Sequence, residues 1–222
     1  MTDYNIMDPI DGYIKEINNL LPYPNQQKTP VLEELRKDVI DAMEGEKRPP
    51  SVIFGSPTEV AKNISFAQDW GYKNASWHIR LAAFIIDIII TIGVLGIFTI
   101  IRFLTSENEM TYWYFWHKDF TFGFLFVFIP VIAFLLSYYV ILEKSYSTTV
   151  GKRLLGLTVV DESGIRITWT QSLIRNFTKV PVLTTFLLFD FLFGILSEKT
   201  QGRKQRVLDF VAGTNVIQRQ QS

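Results

Sequence analysis

The sequence predicts a mainly α-helical membrane protein. It would have two transmembrane helices, a third short apolar segment that is re-entrant or spanning, a small cytoplasmic β-hairpin and an N-terminal three-helix soluble domain. Three observations carry that class. Residues 1–75 read as soluble, and the long apolar runs all come later. Two of those runs, Leu81 to Ile101 and Phe120 to Leu142, are about 21 and 23 residues, enough to cross a ~30 Å hydrocarbon core. Inside the first stands Asp87, with Arg80 at its start. A carboxylate at that depth is costly to insert, so it faces the protein interior or a water cavity and takes a partner. Arg80 lies two turns (~10 Å) away on nearly the same helix face, too far for an unaided salt bridge. The partner of Asp87 is therefore expected on another segment.

The soluble part divides at three similar starts. Asp8-Pro9, Thr29-Pro30 and Ser56-Pro57 each place an N-cap residue before a proline, whose missing N–H costs nothing in a first turn. Ser56 with Glu59 completes a capping box. One face of each helix is apolar: Ile10, Ile14, Ile17 and Leu21, then Leu32, Leu35, Val39 and Met43, then Val60, Ile64 and Ala67. Such a core is small and leans on the membrane or a second copy. Pro22 to Gln27 and Gly45 to Pro50 read as loops, and Gly71 to Ser76 as the linker to the membrane part.

Beyond the first span, the aromatic cluster Tyr112-Trp113-Tyr114-Phe115-Trp116 suits a lipid–water interface. Pro130 falls within the second run, which a membrane helix tolerates as a kink. The third run, Val180 to Leu196, is about 17 residues, the short limit for a span. Because it also contains Asp190 and Gly194, re-entry is favoured over a third crossing. Basic residues then set orientation. Lys144, Lys152, Arg153, Arg166, Arg175 and Lys179 lie in one connecting segment, and Lys199, Arg203, Lys204 and Arg206 in the tail, whereas the loop between the first two runs has only Lys118. By the positive-inside rule the N-terminus, residues 143–179 and the tail face the cytoplasm. The protein is expected in the cell (inner, cytoplasmic) membrane as a multi-pass protein. Its N-terminus lacks a basic start followed by an apolar core, so the first span is expected to act as the insertion signal.

Residues 157–169 read as a hairpin. Thr158-Val159-Val160 leads into the turn Asp161-Glu162-Ser163-Gly164, and Ile165 to Trp169 alternates at period two. Leu173, Ile174 and Phe177 then form a stripe beside Arg175 and Lys179, consistent with a helix on the inner leaflet.

Composition removes several functions. With 22 basic and 22 acidic residues there is no net charge, which argues against nucleic acid as a partner. The absence of cysteine excludes disulfides, thiolate metal sites and cysteine nucleophiles. His78 and His117 are far apart, so neither a metal site nor a cofactor is expected. Ser145, Ser147, Thr148 and Thr149 read as loop residues. No nucleophile–base pair is legible, and the chain does not read as an enzyme.

Several motifs, taken together and in order, resemble a family. They are Arg80 opening the first span, Asp87 within it, Thr149-Val150-Gly151-Lys152-Arg153-Leu154-Leu155-Gly156-Leu157-Thr158-Val159-Val160-Asp161, Ile174-Arg175-Asn176, and Arg206-Val207-Leu208-Asp209-Phe210-Val211-Ala212-Gly213-Thr214. Residues 76–218 on this basis resemble the RDD family of prokaryotic membrane proteins, named for one arginine and two aspartates that fall here at Arg80, Asp87 and Asp209. Leu208 stands where members more often carry histidine. Residues 1–75 resemble the small helical HAAS-type domains, through Leu20-Leu21-Pro22 and Phe54-Gly55-Ser56-Pro57-Thr58-Glu59-Val60-Ala61. The RDD resemblance implies an integral membrane protein, with transport and cation/proton antiport suggested for some members.

Two functional readings follow. The first is transport of protons or monovalent cations by a homo-oligomer, with Arg80, Asp87 and Asp209 as an ion-binding or structural charged triad and Asp190 and Arg175 as accessories. The second is a non-transporting module that couples the N-terminal helices to the bilayer or to a protein partner. In either, Lys152 and Arg153 are expected to meet anionic lipid headgroups. For Asp87 the bland alternative is a structural ion pair or an interhelical hydrogen bond, for Arg80 an interfacial anchor, and for Asp209 a surface pair with Arg206.

Overall fold

The computed structural model of the chain describes residues 7–44, 46, 48–105, 120–179, 186, 189, 190, 192, 196 and 204–219. The N-terminal part has four helices, not three: α1 (Met7–Leu20), α2 (Asn25–Met43), α3 (Pro50–Phe54) and α4 (Pro57–Ala67). The Ser56–Glu59 capping box opens α4 as expected. Thr29-Pro30 does not open a helix. Pro24 is the N-cap of α2, and Pro30 lies inside it. So early in the helix only one amide bond is forfeited. The loop before α2 shrinks accordingly to residues 21–24. The Lys28 ammonium lies across that turn and donates to the carbonyls of Asn18 and Leu21 (both 3.1 Å), satisfying the end of α1.

Ile10, Ile17, Leu21, Leu32, Val39, Met43, Val60 and Ala61 form the buried core of these helices, with Ile14, Leu35 and Ile64 packed against it. Ala67 is exposed. That core also contains Trp70 and Ile165, and Tyr72 and Ile217 pack on it. The helices thus rest on residues from far along the chain.

The sheet differs from expectation. Residues 165–168 form no strand. Instead β1 (Tyr72–Asn74), β2 (Leu157–Asp161) and β3 (Thr214–Arg219) make an antiparallel sheet in the order β1-β3-β2. Val159 faces Val216, and Lys73 faces Gln218. The expected linker is therefore an edge strand, and the tail supplies the central one. The turn at Gly164 exists (φ 78°), but it delivers the chain to α4 rather than back along β2. A Cβ at Gly164 would lie 2.1 Å from Ser65 Oγ. Arg166 N–H then donates to Leu20 O (2.8 Å), and Ile165 and Ile167 enter two different cores. Period-two alternation still describes which side chains are inside. The β2 ladder, however, goes to β3, whose own alternation buries Thr214 and Val216.

Helix α5 (Trp77–Thr105) follows β1 directly, and α6 (Phe120–Tyr146) is continuous through position 130. Among the described residues one stretch, Trp77–Ile97, is long and apolar enough to cross a membrane. In the second predicted span the side chains of residues 120–128 and of Pro130 lie outside the described residues, as do the aromatic cluster 112–116 and most of the run 180–196. Among the described residues, three more short helices can be given bounds: α7 (Val150–Leu154), α8 (Trp169–Asn176), extended by a 3-10 turn Phe177–Lys179, and α9 (Val207–Val211).

Candidate functional site

Asp87 sits on α5 and is 1% exposed. Its carboxylate accepts from Tyr138 Oη (2.8 Å) on α6, Thr149 Oγ1 (2.6 Å) and the Gly151 amide (2.7 Å). The first amides of any helix lack partners within it. Here a carboxylate from a different helix serves as the cap of α7, through charge-assisted bonds. The approach needs glycine at 151, because a Cβ there would lie 2.2 Å from Ala83 O and 3.0 Å from Asp87 Cγ. Thr149, read from sequence as a loop hydroxyl, and Tyr138, not singled out at all, are thus part of the site. Of the two, only Thr149 left a legible trace, in the motif Thr149-Val150-Gly151.

Asp209 is fully buried on α9. Arg206 (Nη2, 2.9 Å), Arg175 (Nη2, 3.2 Å) and Arg80 (Nη1, 3.3 Å) surround it. The local pair with Arg206 exists, and the Asp209 carboxylate also accepts from the Arg206 amide (3.4 Å) at the start of α9, but it is no surface pair. Burial alone would push the Asp209 carboxyl up; the Arg206, Arg175 and Arg80 guanidiniums together hold it well below the ordinary carboxylate range. Arg80 also donates to Val216 O (3.3 Å) and lies 5.4 Å from the Trp77 ring centroid, so the first turn of α5 is tied to β3. Arg80 and Asp87 belong to different clusters. Asp190 joins that of Asp209: its Oδ1 accepts from the Leu208 amide (2.8 Å), and its Oδ2 lies 3.5 Å from Arg206 Nη1.

The sequence reading missed the third acid. Glu143, at the end of the second apolar run, is fully buried and meets Arg175 Nε (3.0 Å), Asn176 Nδ2 (2.9 Å), Lys179 Nζ (3.5 Å) and Lys152 Nζ. A lone acid at the foot of an apolar run, followed by several bases, was the available signal. The expectation for Lys152 as a headgroup contact is corrected. Its side chain turns inward beside Gly151, where the Glu143 carboxylate outbids solvent for it, while Arg153 is exposed. Burial, opposed by Glu143, lowers the Lys152 ammonium. Burial and the charge of Lys152 push Lys179 well below the usual lysine range, and its ammonium lies 3.9 Å from the Tyr139 ring centroid.

Arg175 joins the two clusters, since its guanidinium reaches both Glu143 and Asp209 and is fully buried. In sum, Arg80, Lys152, Arg175, Lys179 and Arg206 enclose Glu143, Asp190 and Asp209 where α5, α6, α8, α9 and β3 converge. Every carboxylate there is held by donors of the chain. Among the described residues, no group of acids and histidines is arranged to hold a metal.

Comparison with known proteins bears on this cluster. The model of the RDD family matches residues 74–213, which contain every residue of it. No curated protein and no solved structure matches the chain.

Proposed function

The chain belongs to the RDD family, and from that premise we propose that it works as a membrane-anchored coupling module. In this reading the charged residues lock the spans to the N-terminal helices and do not conduct ions. One observation carries it: the core of the N-terminal helices is completed by Ile165, while β1, immediately before α5, is paired to the tail strand that receives Arg80. A displacement of α5 would therefore be felt by the N-terminal helices through a sheet rather than a flexible linker. A cleft of about 260 Å³, lined by Tyr23, Trp70, Tyr72, Asp161 and Asn215, opens at this junction, where a protein partner would touch both parts at once.

Transport of protons or monovalent cations remains the competing reading, favoured by the presence of Asp87 in the spanning stretch. We rank the two in the opposite order to the sequence reading. An ion pathway needs acceptor oxygens left for the ion, and the Asp87 carboxylate already accepts from three donors of the chain. Flux in sealed vesicles separates the readings. Vesicles with wild type and with Asp87→Asn should pass protons, Na⁺ and K⁺ alike at the empty-vesicle rate. Asp87→Asn should meanwhile lower stability by ~1–3 kcal/mol, the cost of weakening charged hydrogen bonds. Cation flux in wild type that Asp87→Asn abolishes would establish transport instead.

The same sheet supports a topology. Strands β1, β2 and β3 lie side by side, so residues 72–74, 157–161 and 214–219 share one side of the membrane, which we assign to the cytoplasm. An odd number of crossings between β2 and β3 would break that arrangement, which supports re-entry for the run 180–196. The chain lacks cysteine, so single cysteines at Asn63 and Ser222 can be tested with an impermeant maleimide. Both should label only after the cytoplasmic side is opened; labelling of Ser222→Cys from outside would restore three full spans.

A further inference from the structure

Helix α8 is inverted relative to a helix of a soluble protein. It buries Ser172, Arg175 and Asn176 and exposes Trp169 and Leu173, with Phe177 exposed one turn further on. Water-facing helices do the opposite. The two other short helices repeat the inversion. Helix α7 buries Lys152 and leaves Leu154 68% exposed; α9 buries Asp209 and leaves Phe210 and Val211 47% and 62% exposed.

We infer that α7, α8 and α9 form an in-plane collar sunk in the acyl region of the leaflet on the sheet's side, with the ion-pair cluster enclosed between collar and spans. Depth is the first argument. Helix α7 sits on α5 at Ala83 to Asp87, inside the spanning stretch, and Ser172 of α8 donates to Val140 O of α6 (3.0 Å). Continuity is the second: Leu81, Ile85 and Ile89 of α5 are exposed on the same stretch, where lipid is the natural occupant. Charge is the third, because in acyl surroundings polar side chains turn inward and pair, as all of those named here do. The apolar faces then gain bilayer contact as interfacial helices do, with exposed Arg153 beside Leu154 placed to meet headgroup phosphate. This goes beyond the coupling role: it extends to α7 and α9 the inner-leaflet position expected from sequence for α8 alone, sinks all three below the headgroups, and shields the cluster from water.

Collision accessibility of spin labels tests it. Leu154→Cys, Leu173→Cys and Val211→Cys would be labelled in the full chain, in vesicles of mixed zwitterionic and anionic phospholipid. Ile92→Cys on α5 is the lipid reference and Asn63→Cys on α4 the water reference. All three collar positions should show a ratio of oxygen to nickel-chelate collision near that of Ile92→Cys and several-fold above that of Asn63→Cys. A ratio like that of Asn63→Cys overturns the collar. Low collision with both reagents together with dipolar broadening overturns it too, because a second copy would then cover the face. Photo-crosslinking the unaltered chain to a phospholipid with a reactive acyl chain guards against variants that misfold. Adducts are expected within 150–154, 169–177 and 207–211; adducts confined to α5 and α6 overturn the inference.

Discussion

Gly151→Ala should destabilise the protein by on the order of 3 kcal/mol or more, a penalty at the upper end of ordinary overpacking. The added methyl would start 2.2 Å from the Ala83 carbonyl, a backbone atom in mid-helix that cannot swing aside as a side-chain tip can. Relief requires α7 to move off α5. That movement lengthens the 2.7 Å bond from the Gly151 amide to Asp87 and pulls Thr149 from the same carboxylate. A buried carboxylate robbed of donors adds its own desolvation cost, about 1–3 kcal/mol. Helix α7 leads into β2, so the register of the sheet is disturbed as well. Thermal unfolding in detergent, followed by tryptophan fluorescence, measures the effect. Gly96→Ala on α5 is the control, since a Cβ there meets nothing within 4 Å and alanine in a helix interior gains ~0.5–1 kcal/mol over glycine. Equal melting of Gly151→Ala and wild type would mean that α7 does not approach α5 this closely.

Asp209→Ala is expected to cost ~3–5 kcal/mol, as does stripping one partner from any buried ion pair. Three guanidiniums converge on that carboxylate, two of them, from Arg80 and Arg206, also serving backbone carbonyls, so none can turn to solvent without breaking other bonds. Arg80→Ala should cost less, because Arg175 and Arg206 remain. In the Asp209→Ala background the further loss of Arg80 should be cheaper than in wild type, and simple additivity of the two losses would show that they are uncoupled. The pH dependence has a definite sign. The Asp209 carboxyl is depressed in the folded state, where the arginines outweigh burial. Its contribution is therefore fully present above the unfolded value of ~3.9 and lost as pH falls through the lower folded value. The stability gap between wild type and Asp209→Asn should be constant above about pH 5 and shrink below about pH 4. A gap that persists unchanged to low pH would show that the ionised carboxylate is not what the arginines hold.

The misread elements share a cause. Pattern along the chain marked Ile165 and Ile167 as inward-facing, and they are; it could not show that the ladder opposite β2 belongs to a strand more than fifty residues later. Thr29-Pro30 has the form of a helix start, yet α2 begins at Asn25, since a proline in the second turn costs less than the packing that the longer helix gains. Lys152 sits among basic residues and reads as a headgroup ligand until the partner inside, Glu143, is known.

By itself the sequence determined what depends on nearest neighbours along the chain: the amphipathic stripes of α1, α2 and α4, the cap of α4, the apolar length of α5, and the unusual cost of an acid at position 87. The paired motifs around Arg80, Asp87 and Asp209 also marked the family. Only the tertiary structure decided which charges meet. Arg80 and Asp209 are 129 positions apart and Gly151 and Asp87 are 64 apart, and no periodicity links positions at such separation. It also decided which side of a short amphipathic helix counts as inside. In water the apolar stripe of α8 would be its buried face; packed on α6, with Glu143 and Asp209 waiting for Arg175, the polar stripe is buried instead. Pairing of the buried charges and, in our reading, bilayer contact of the apolar face together set that orientation.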